Sequence, residues 1–376
     1  MENSVFLPFE LIIEILLRLP VKPLLRFRCV CKSWLSLISS NNFATSHFEH
    51  AATHRRLLIK RSALQPLSID LDSSLHVASA SASLSLDFIR SQRCVEVRGC
   101  CRGFLCFYNG THIYVLNPST GLIKQIPDSP IILNHRYELL SGFAYYQPTD
   151  DYLIVSGFSE DDDAPVTSPI KLMIFSLRAN KWKPIEVASH LPYRDTSVSE
   201  NTPKCGLFLN GSIHWMVHNY ETSKNVIIAF DLKEMTISKI ALPDDFIFSY
   251  SHNYSIYYEL LEVRGLISAW VKDLNTVKIW VMQKYGVHSS WTKIIQFSLD
   301  PVLHKDLYIA CLTKCGDIVG INDVDGLVKL NDKGQLLESL LFDGYALVVY
   351  IQSLCFHSPA PFKLNKITIE LLDEFL

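Results

Sequence analysis

The sequence predicts a mainly β protein with a small α-helical amino-terminal domain: a three-helix unit followed by a six-bladed, β-propeller-like domain. Three observations carry that prediction. Residues 7–48 follow helical spacing and hold more apolar surface than so short a unit can bury. Beyond residue 50 the pattern turns to short alternating runs of Val, Ile, Phe, Tyr and Trp between turn residues, the mark of strands. Those runs recur six times at a spacing close to that of a propeller blade.

The helical unit begins at Pro8, where a first turn tolerates a missing N–H. Leu11, Ile12, Ile13, Ile15, Leu16, Leu17 and Leu19 follow, and the charged positions are only Glu10, Glu14 and Arg18. Their spacing of four makes one polar stripe, with Glu14 and Arg18 in the favourable order. Pro20 ends this helix and Pro23 opens a second, with Leu24, Leu25, Phe27, Val30, Cys31 and Trp34 inward or partly exposed. A helix apolar on most of its circumference needs two burial partners. The rest of the unit supplies one, and a different polypeptide the other. The alternative is a self-contained helical hairpin that caps a larger domain.

Leu7-Pro8, Glu14-Ile15-Leu16, Arg18 to Lys22 and the run Leu24 to Trp34 resemble an F-box of the plant type across residues 5–48. Phe9 and Pro23 stand where that family more often has polar residues. The resemblance implies docking on the Skp-type adaptor of a cullin-based SCF ubiquitin ligase. It assigns Leu7, Pro8, Ile12, Ile15, Leu16, Leu19, Pro20, Leu24, Leu25, Val30, Cys31 and Trp34 to the adaptor interface or the core behind it. Pro8, Leu19 and Pro20 are the expected contacts; Leu16 and Trp34 are expected mainly to shape the fold.

In the β region, an apolar strand ends in an aromatic or aliphatic–polar–Leu/Val pattern, turns, and returns through Lys or Trp and Ile. The middle residues of the six copies are 70, 116, 176, 231, 281 and 329, so the steps run 46, 60, 55, 50 and 48. Four strands per repeat of that size make a propeller blade, and Ala346–Phe356 can complete the first sheet, leaving no open edge. The uneven steps keep a β-sandwich, or two smaller sheets, as the alternative. Gly99 to Cys106, Leu116 to Thr120, Tyr145 to Tyr152, Leu209 to Trp215 and Ile279 to Lys293 resemble the F-box-associated domain found behind plant F-boxes. That resemblance spans about 55–357 and implies a substrate-recognition module of unstated substrate. The domains expected are therefore 1–48, 49–357 and a tail, 358–376.

Composition narrows the function. Net charge is −3, from 35 basic and 38 acidic side chains, which argues against a nucleic-acid or anionic-membrane surface. His54, Arg55, Arg56, Lys60 and Arg61 form a basic cluster read as a solvated linker. An acidic start, with Glu10 and Glu14 in the first apolar run, predicts no signal peptide, and no apolar stretch is long enough to span a bilayer. Ten cysteines in this length read as reduced thiols rather than a disulfide framework, which predicts a cytoplasmic or nuclear protein. No Cys/His spacing suits zinc, so no metal, cofactor or catalytic residue is expected. Asn109-Gly110 and Asn210-Gly211 read as tight turns, and the sequons at Asn109, Asn210 and Asn253 as accidental.

Three features suggest chemistry and read better otherwise. His214 beside Trp215 in an alternating strand is a satisfied structural histidine. Asp161 to Asp163 lack the alternating ligands of a calcium loop, and Asn322 to Gly326 reads as a hairpin turn. Antiparallel strand order puts segments 159–169, 188–203, 243–256 and 298–306 on one end of the propeller, opposite the short 178–180 turn. Long mixed loops on a rigid scaffold carry recognition, so Tyr193, Arg194, Tyr250, His252 and Tyr254 are the candidate substrate contacts. The function predicted is a non-catalytic substrate receptor of an SCF ubiquitin ligase, partnered by the adaptor, a cullin and a target protein. A sequestering module without ubiquitination is the first alternative and a propeller hydrolase the second, although no carboxylate set of suitable spacing supports the latter.

Overall fold

The computed structural model describes residues 7–51, 55–60, 64–75, 81–83, 95–129, 138–159, 170–185, 193–194, 204–219, 221–222, 224–246, 257–273, 275–299, 307–322, 326–342 and 345–354. Helices α1 (Phe9–Leu17), α2 (Val21–Phe27), α3 (Lys32–Ile38) and α4 (Asn41–Ala51) make the amino-terminal bundle. Pro8 caps α1, and Pro20 caps α2, which puts Pro23 in the first turn of that helix. The prediction of three helices needs correction to four: α4 is built of mixed residues without a long apolar stripe, and it runs past residue 48. It still contributes Phe43, Ala44 and His47 to the interior.

Six antiparallel sheets follow. Blade 1 joins β26 (Tyr345–Ile351) to β1 (Arg55–Lys60), β2 (Leu67–Asp70) and β3 (Ser81–Ser83). Blade 2 is β4 (Glu96–Cys101), β5 (Phe104–Tyr108), β6 (Ile113–Leu116) and β7 (Ile123–Gln125). Blade 3 is β8 (Glu138–Tyr146), β9 (Asp151–Ser159), β10 (Ile170–Ser176) and β11 (Lys181–Ile185), with β13 (Lys204–Cys205) laid parallel on β8. Blade 4 is β15 (Ser212–Asn219), β16 (Lys224–Asp231) and β17 (Thr236–Ala241), with β12 (Tyr193–Arg194) and β14 (Leu207–Leu209) sharing the edge of β15. Blade 5 is β18 (Tyr257–Val263), β19 (Leu266–Asp273), β20 (Thr276–Met282) and β21 (Trp291–Ser298). Blade 6 is β22 (Tyr308–Leu312), β23 (Ile318–Asn322), β24 (Gly326–Leu330) and β25 (Leu336–Leu340).

The six recurring sequence patterns all fall at the end of the third strand of a blade: β2, β6, β10, β16, β20 and β24. Their alternation serves two neighbours at once, because both faces of a blade are buried. Six separate apolar cores result, one between each adjacent pair of blades. Phe104 and Cys106 of blade 2 meet Phe143 and Phe175 of blade 3. Ile213 and Phe230 of blade 4 meet Val155 and Leu172 of blade 3, and Trp270 and Val277 of blade 5 meet Leu307 and Val328 of blade 6. The ring is sealed where Leu57 and Ile69 of blade 1 pack on Val319 and Leu327 of blade 6. Closure comes from β26, which pairs along β1 from Tyr345↔Lys60 to Ile351↔Arg55.

Of the basic cluster, His54 and Arg61 lie outside the described residues, and the other three members are strand residues and not a linker. Arg55, Arg56 and Lys60 lie in β1, with Arg56 donating to Ser68 Oγ at 2.7 Å and pairing with Asp70 at 3.4 Å. A central-sheet position converts these charges from solvated to partnered. Asn210-Gly211 forms the two-residue β14–β15 turn with φ of 52° and 77°, as the sequence predicts. Arg102-Gly103 and Arg264-Gly265 take the same left-handed pair of conformations between the first and second strands of blades 2 and 5. These short turns share one end of the ring with the third-to-fourth strand turns. The interblade connectors and second-to-third strand turns occupy the other.

Candidate functional site

The helical bundle sits on the short-turn end. Leu354, just past β26, is fully buried in the bundle core with Leu16, Leu24 and Ile38. Asn117 donates its side-chain N–H to the Ser353 carbonyl at 3.1 Å. The Arg102 guanidinium lies 4.2 Å above the Tyr145 ring and 5.7 Å from the ring of Phe48 in α4. On the outer side the bundle leaves apolar surface uncovered. Leu11 and Ile15, one turn apart on α1, are 49% and 50% exposed, and Val30, before α3, is 61% exposed.

The predicted adaptor residues divide by burial. Leu7, Pro8, Ile15, Pro20, Val30 and Cys31 are exposed, while Ile12, Leu19, Leu25 and Trp34 are half-buried. Leu16 and Leu24 are fully buried in the bundle core with Ile38, Phe43 and Leu354. Trp34 packs edge-on against Phe27 at 5.5 Å, a structural role. Phe9, Leu11 and Leu35 are exposed apolar residues absent from the predicted set; Leu11 was legible from its spacing with Ile15. Glu14 and Arg18 pair at 3.0 Å on the same helix. Cys31 Sγ lies 3.1 Å from Ser33 Oγ, and that contact, with the Trp34 N–H, holds its thiol below the usual range. Behind the surface, His47 Nε2 donates to the Leu19 carbonyl at 2.8 Å; burial pushes its pKa down.

A cavity of about 970 Å³ runs along the propeller axis, from Phe48 and Arg102 at the bundle end to Leu341 and Phe342 at the connector end. At the bundle end, Arg55 reaches past blade 6, donating to the Leu312 carbonyl at 3.2 Å and pairing with Glu262 of blade 5 at 2.5 Å. Further along, the Tyr308 hydroxyl donates to the Glu259 carboxylate. Tyr308 keeps 38% of its surface open to the cavity while protein encloses it. Burial, and then the Glu259 charge, raise its phenol well above the ordinary value. Burial also pushes the Cys100 thiol up to about 11 and that of Cys311 to about 12.

Two carboxylates thus line the cavity, the arrangement a hydrolase would start from. Glu262 is committed to Arg55 and the Gly265 N–H. Three residues along a strand also set the two roughly 10 Å apart, on opposite faces. No group of three or more His, Cys, Asp or Glu side chains among the described residues could hold a metal ion. His214 is satisfied: Nδ1 donates to the Leu207 carbonyl at 3.1 Å and Nε2 accepts from the Tyr285 hydroxyl at 2.7 Å. Burial lowers its pKa and keeps it neutral. Of the predicted substrate contacts, Tyr193 and Arg194 form β12, paired with Asn219 and His218 at the connector end. The rest of segment 188–203 lies outside the described residues. Tyr250, His252 and Tyr254 lie outside the described residues, as do Asp161 to Asp163.

Comparison with known proteins gives two family matches. The F-box domain matches residues 6–46, and the F-box associated beta propeller domain matches residues 58–324. F-box protein CPR1 of Arabidopsis thaliana is 29% identical over 314 residues, covering 77% of this chain and 72% of that protein. An F-box/kelch-repeat protein of the same plant is 27% identical over 305 residues, covering 77% and 79%. Among solved structures, the Dos1 propeller aligns at TM-score 0.36 and 9% identity, covering 80% of this chain and 75% of that one. An exo-beta-1,3-galactanase from Phanerochaete chrysosporium aligns at 0.38 and 6%, covering 78% and 70%.

Proposed function

Because this chain belongs to the F-box proteins that carry an F-box-associated β-propeller domain, we propose that it is the substrate-recognition subunit of an SCF ubiquitin ligase. The adaptor docks on the exposed apolar face of the bundle, and a target protein is held at the connector end of the propeller. The observation that supports this division is the seating of the bundle on the short-turn end. Adaptor and target then occupy opposite ends without competing.

The protein itself supplies proximity, not bond chemistry: a target lysine held near an activated ubiquitin thioester reacts at a raised effective concentration. Tyr193 and Arg194, with Tyr250, His252 and Tyr254, are the proposed target contacts, and cytoplasm or nucleus the proposed site of action. The test is affinity capture of the intact chain with the proteasome blocked, beside an Ile15→Asp variant. Adaptor and cullin are expected with the intact chain and absent from the variant, while the same target stays on both. A target retained without any cullin in either sample overturns the ligase reading in favour of sequestration.

A further inference from the structure

We propose that adaptor docking is conditional on closure of the propeller ring, because the last described residue after the closing strand completes the bundle core. Leu354 has none of its surface exposed and packs among Leu16, Val21, Ile38 and Phe43, whose helices begin the chain. No stretch of flexible chain separates it from the ring: β26 ends at Ile351, and Ser353 is held by two contacts to blade 2. Its carbonyl accepts from Asn117, and its N–H donates to Ser119 Oγ at 3.4 Å. Gly103 is also confined there, since a Cβ at that position would stand 2.2 Å from Ser353 Cβ and 2.9 Å from the Ile351 carbonyl. Strand β26 is in turn locked into blade 1 by its pairing with β1 and by Tyr350, whose hydroxyl meets Ser68 Oγ at 2.8 Å.

The consequence follows from packing. Four short helices bury few residues completely, so each buried leucine is a large share of what keeps the bundle folded. Removing Leu354 leaves a hole in the cluster that also holds Leu16, the buried residue next to Ile15 on α1. A chain whose ring is open, whether unfinished or misfolded, therefore presents a bundle with an incomplete core, and its docking helix is not held in shape. The bundle reports the state of the propeller, and the ligase is loaded only with a receptor able to hold a target. This inference rests on the ligase reading for its docking step, but not for its coupling step.

Hydrogen exchange on the full chain, with Skp-type adaptor binding measured in parallel, separates the two. Leu354→Ala is expected to lower protection of the α1 and α2 amides about 100-fold while blades 3 to 5 keep theirs. Leu354→Met restores it. Tyr350→Ala, and more mildly Tyr350→Phe, alter a residue outside the bundle core; each is expected to loosen blade 1 and the bundle together and to weaken adaptor binding in proportion. Bundle protection unchanged in Leu354→Ala, or loosening confined to blade 1 in the Tyr350 variants, overturns the proposal. A wild-type chain that does not bind the adaptor, with the exchange coupling present, overturns the ligase reading and leaves the joint standing.

Discussion

The bundle and the propeller use similar residues to opposite effect. In the propeller, Trp215, Trp270 and Trp280 are buried almost completely, because every blade has a neighbour on both faces. In the bundle, Phe9, Leu11, Ile15, Val30 and Leu35 remain exposed, because the short helices cover one another on their inner sides only. Hydrophobicity by itself therefore does not define a core. A repeat closed into a ring satisfies its apolar surface internally, whereas four short helices leave a surplus exposed.

Substitutions in each region test this contrast. The largest stability loss is expected from Trp270→Ala, which empties the core between blades 5 and 6 and costs about 3–5 kcal/mol. Denaturant unfolding measures it, and a loss below 1 kcal/mol would mean that the interblade cores are not what closes the ring. Ile15→Asp is the counterpart on the bundle. It is expected to weaken adaptor binding by about 2 kcal/mol or more, roughly 30-fold, while shifting unfolding by less than about 1 kcal/mol. Equal losses in both measurements would place Ile15 in the core instead of the interface.

The smallest effect is a pH dependence. His47 is buried in its neutral form, with Nε2 on the Leu19 carbonyl and no partner for Nδ1. Its folded pKa lies below the ordinary 6.5, so below about pH 6.5 the unfolded chain takes up a proton that the folded bundle resists. Bundle stability is therefore full above 6.5 and falls as the solution is acidified from there toward the folded pKa. His214 gives the propeller the same sign. His47→Gln should flatten the slope seen in bundle amide exchange between pH 5 and 7 and leave the slope of blade 4 in place.

Much of this architecture was legible in the sequence. Pro8 marked the start of the first helix, Pro20 its end and Pro23 the first turn of the second, and the pattern around Asp70, Leu116, Ser176, Asp231, Val281 and Lys329 marked one strand in each blade. The same reading anticipated that Ala346 to Phe356 would finish the first sheet, as β26 does. What stayed hidden depends on contacts between distant residues. Nothing local shows that Leu354 belongs with Leu16, that Arg55 reaches Glu262, or that Leu24 turns inward while Leu11 and Ile15 turn out. Helix α4 was missed because Asn41 to Ala51 carries too few apolar residues to reveal its buried side. Tyr193 and Arg194 read as connector because two residues are too few to show strand alternation.

The distribution of thiols has a practical consequence. Among the described cysteines, Cys29, Cys31 and Cys315 are exposed, and all three lie at the bundle end, Cys315 in the turn between β22 and β23. Cys100 and Cys311, inside, hold their protons far above neutral pH and are poor nucleophiles. Among the described thiols, a maleimide dye at pH 7 therefore attaches at the bundle end, while Cys100 and Cys311 stay unlabelled inside the ring.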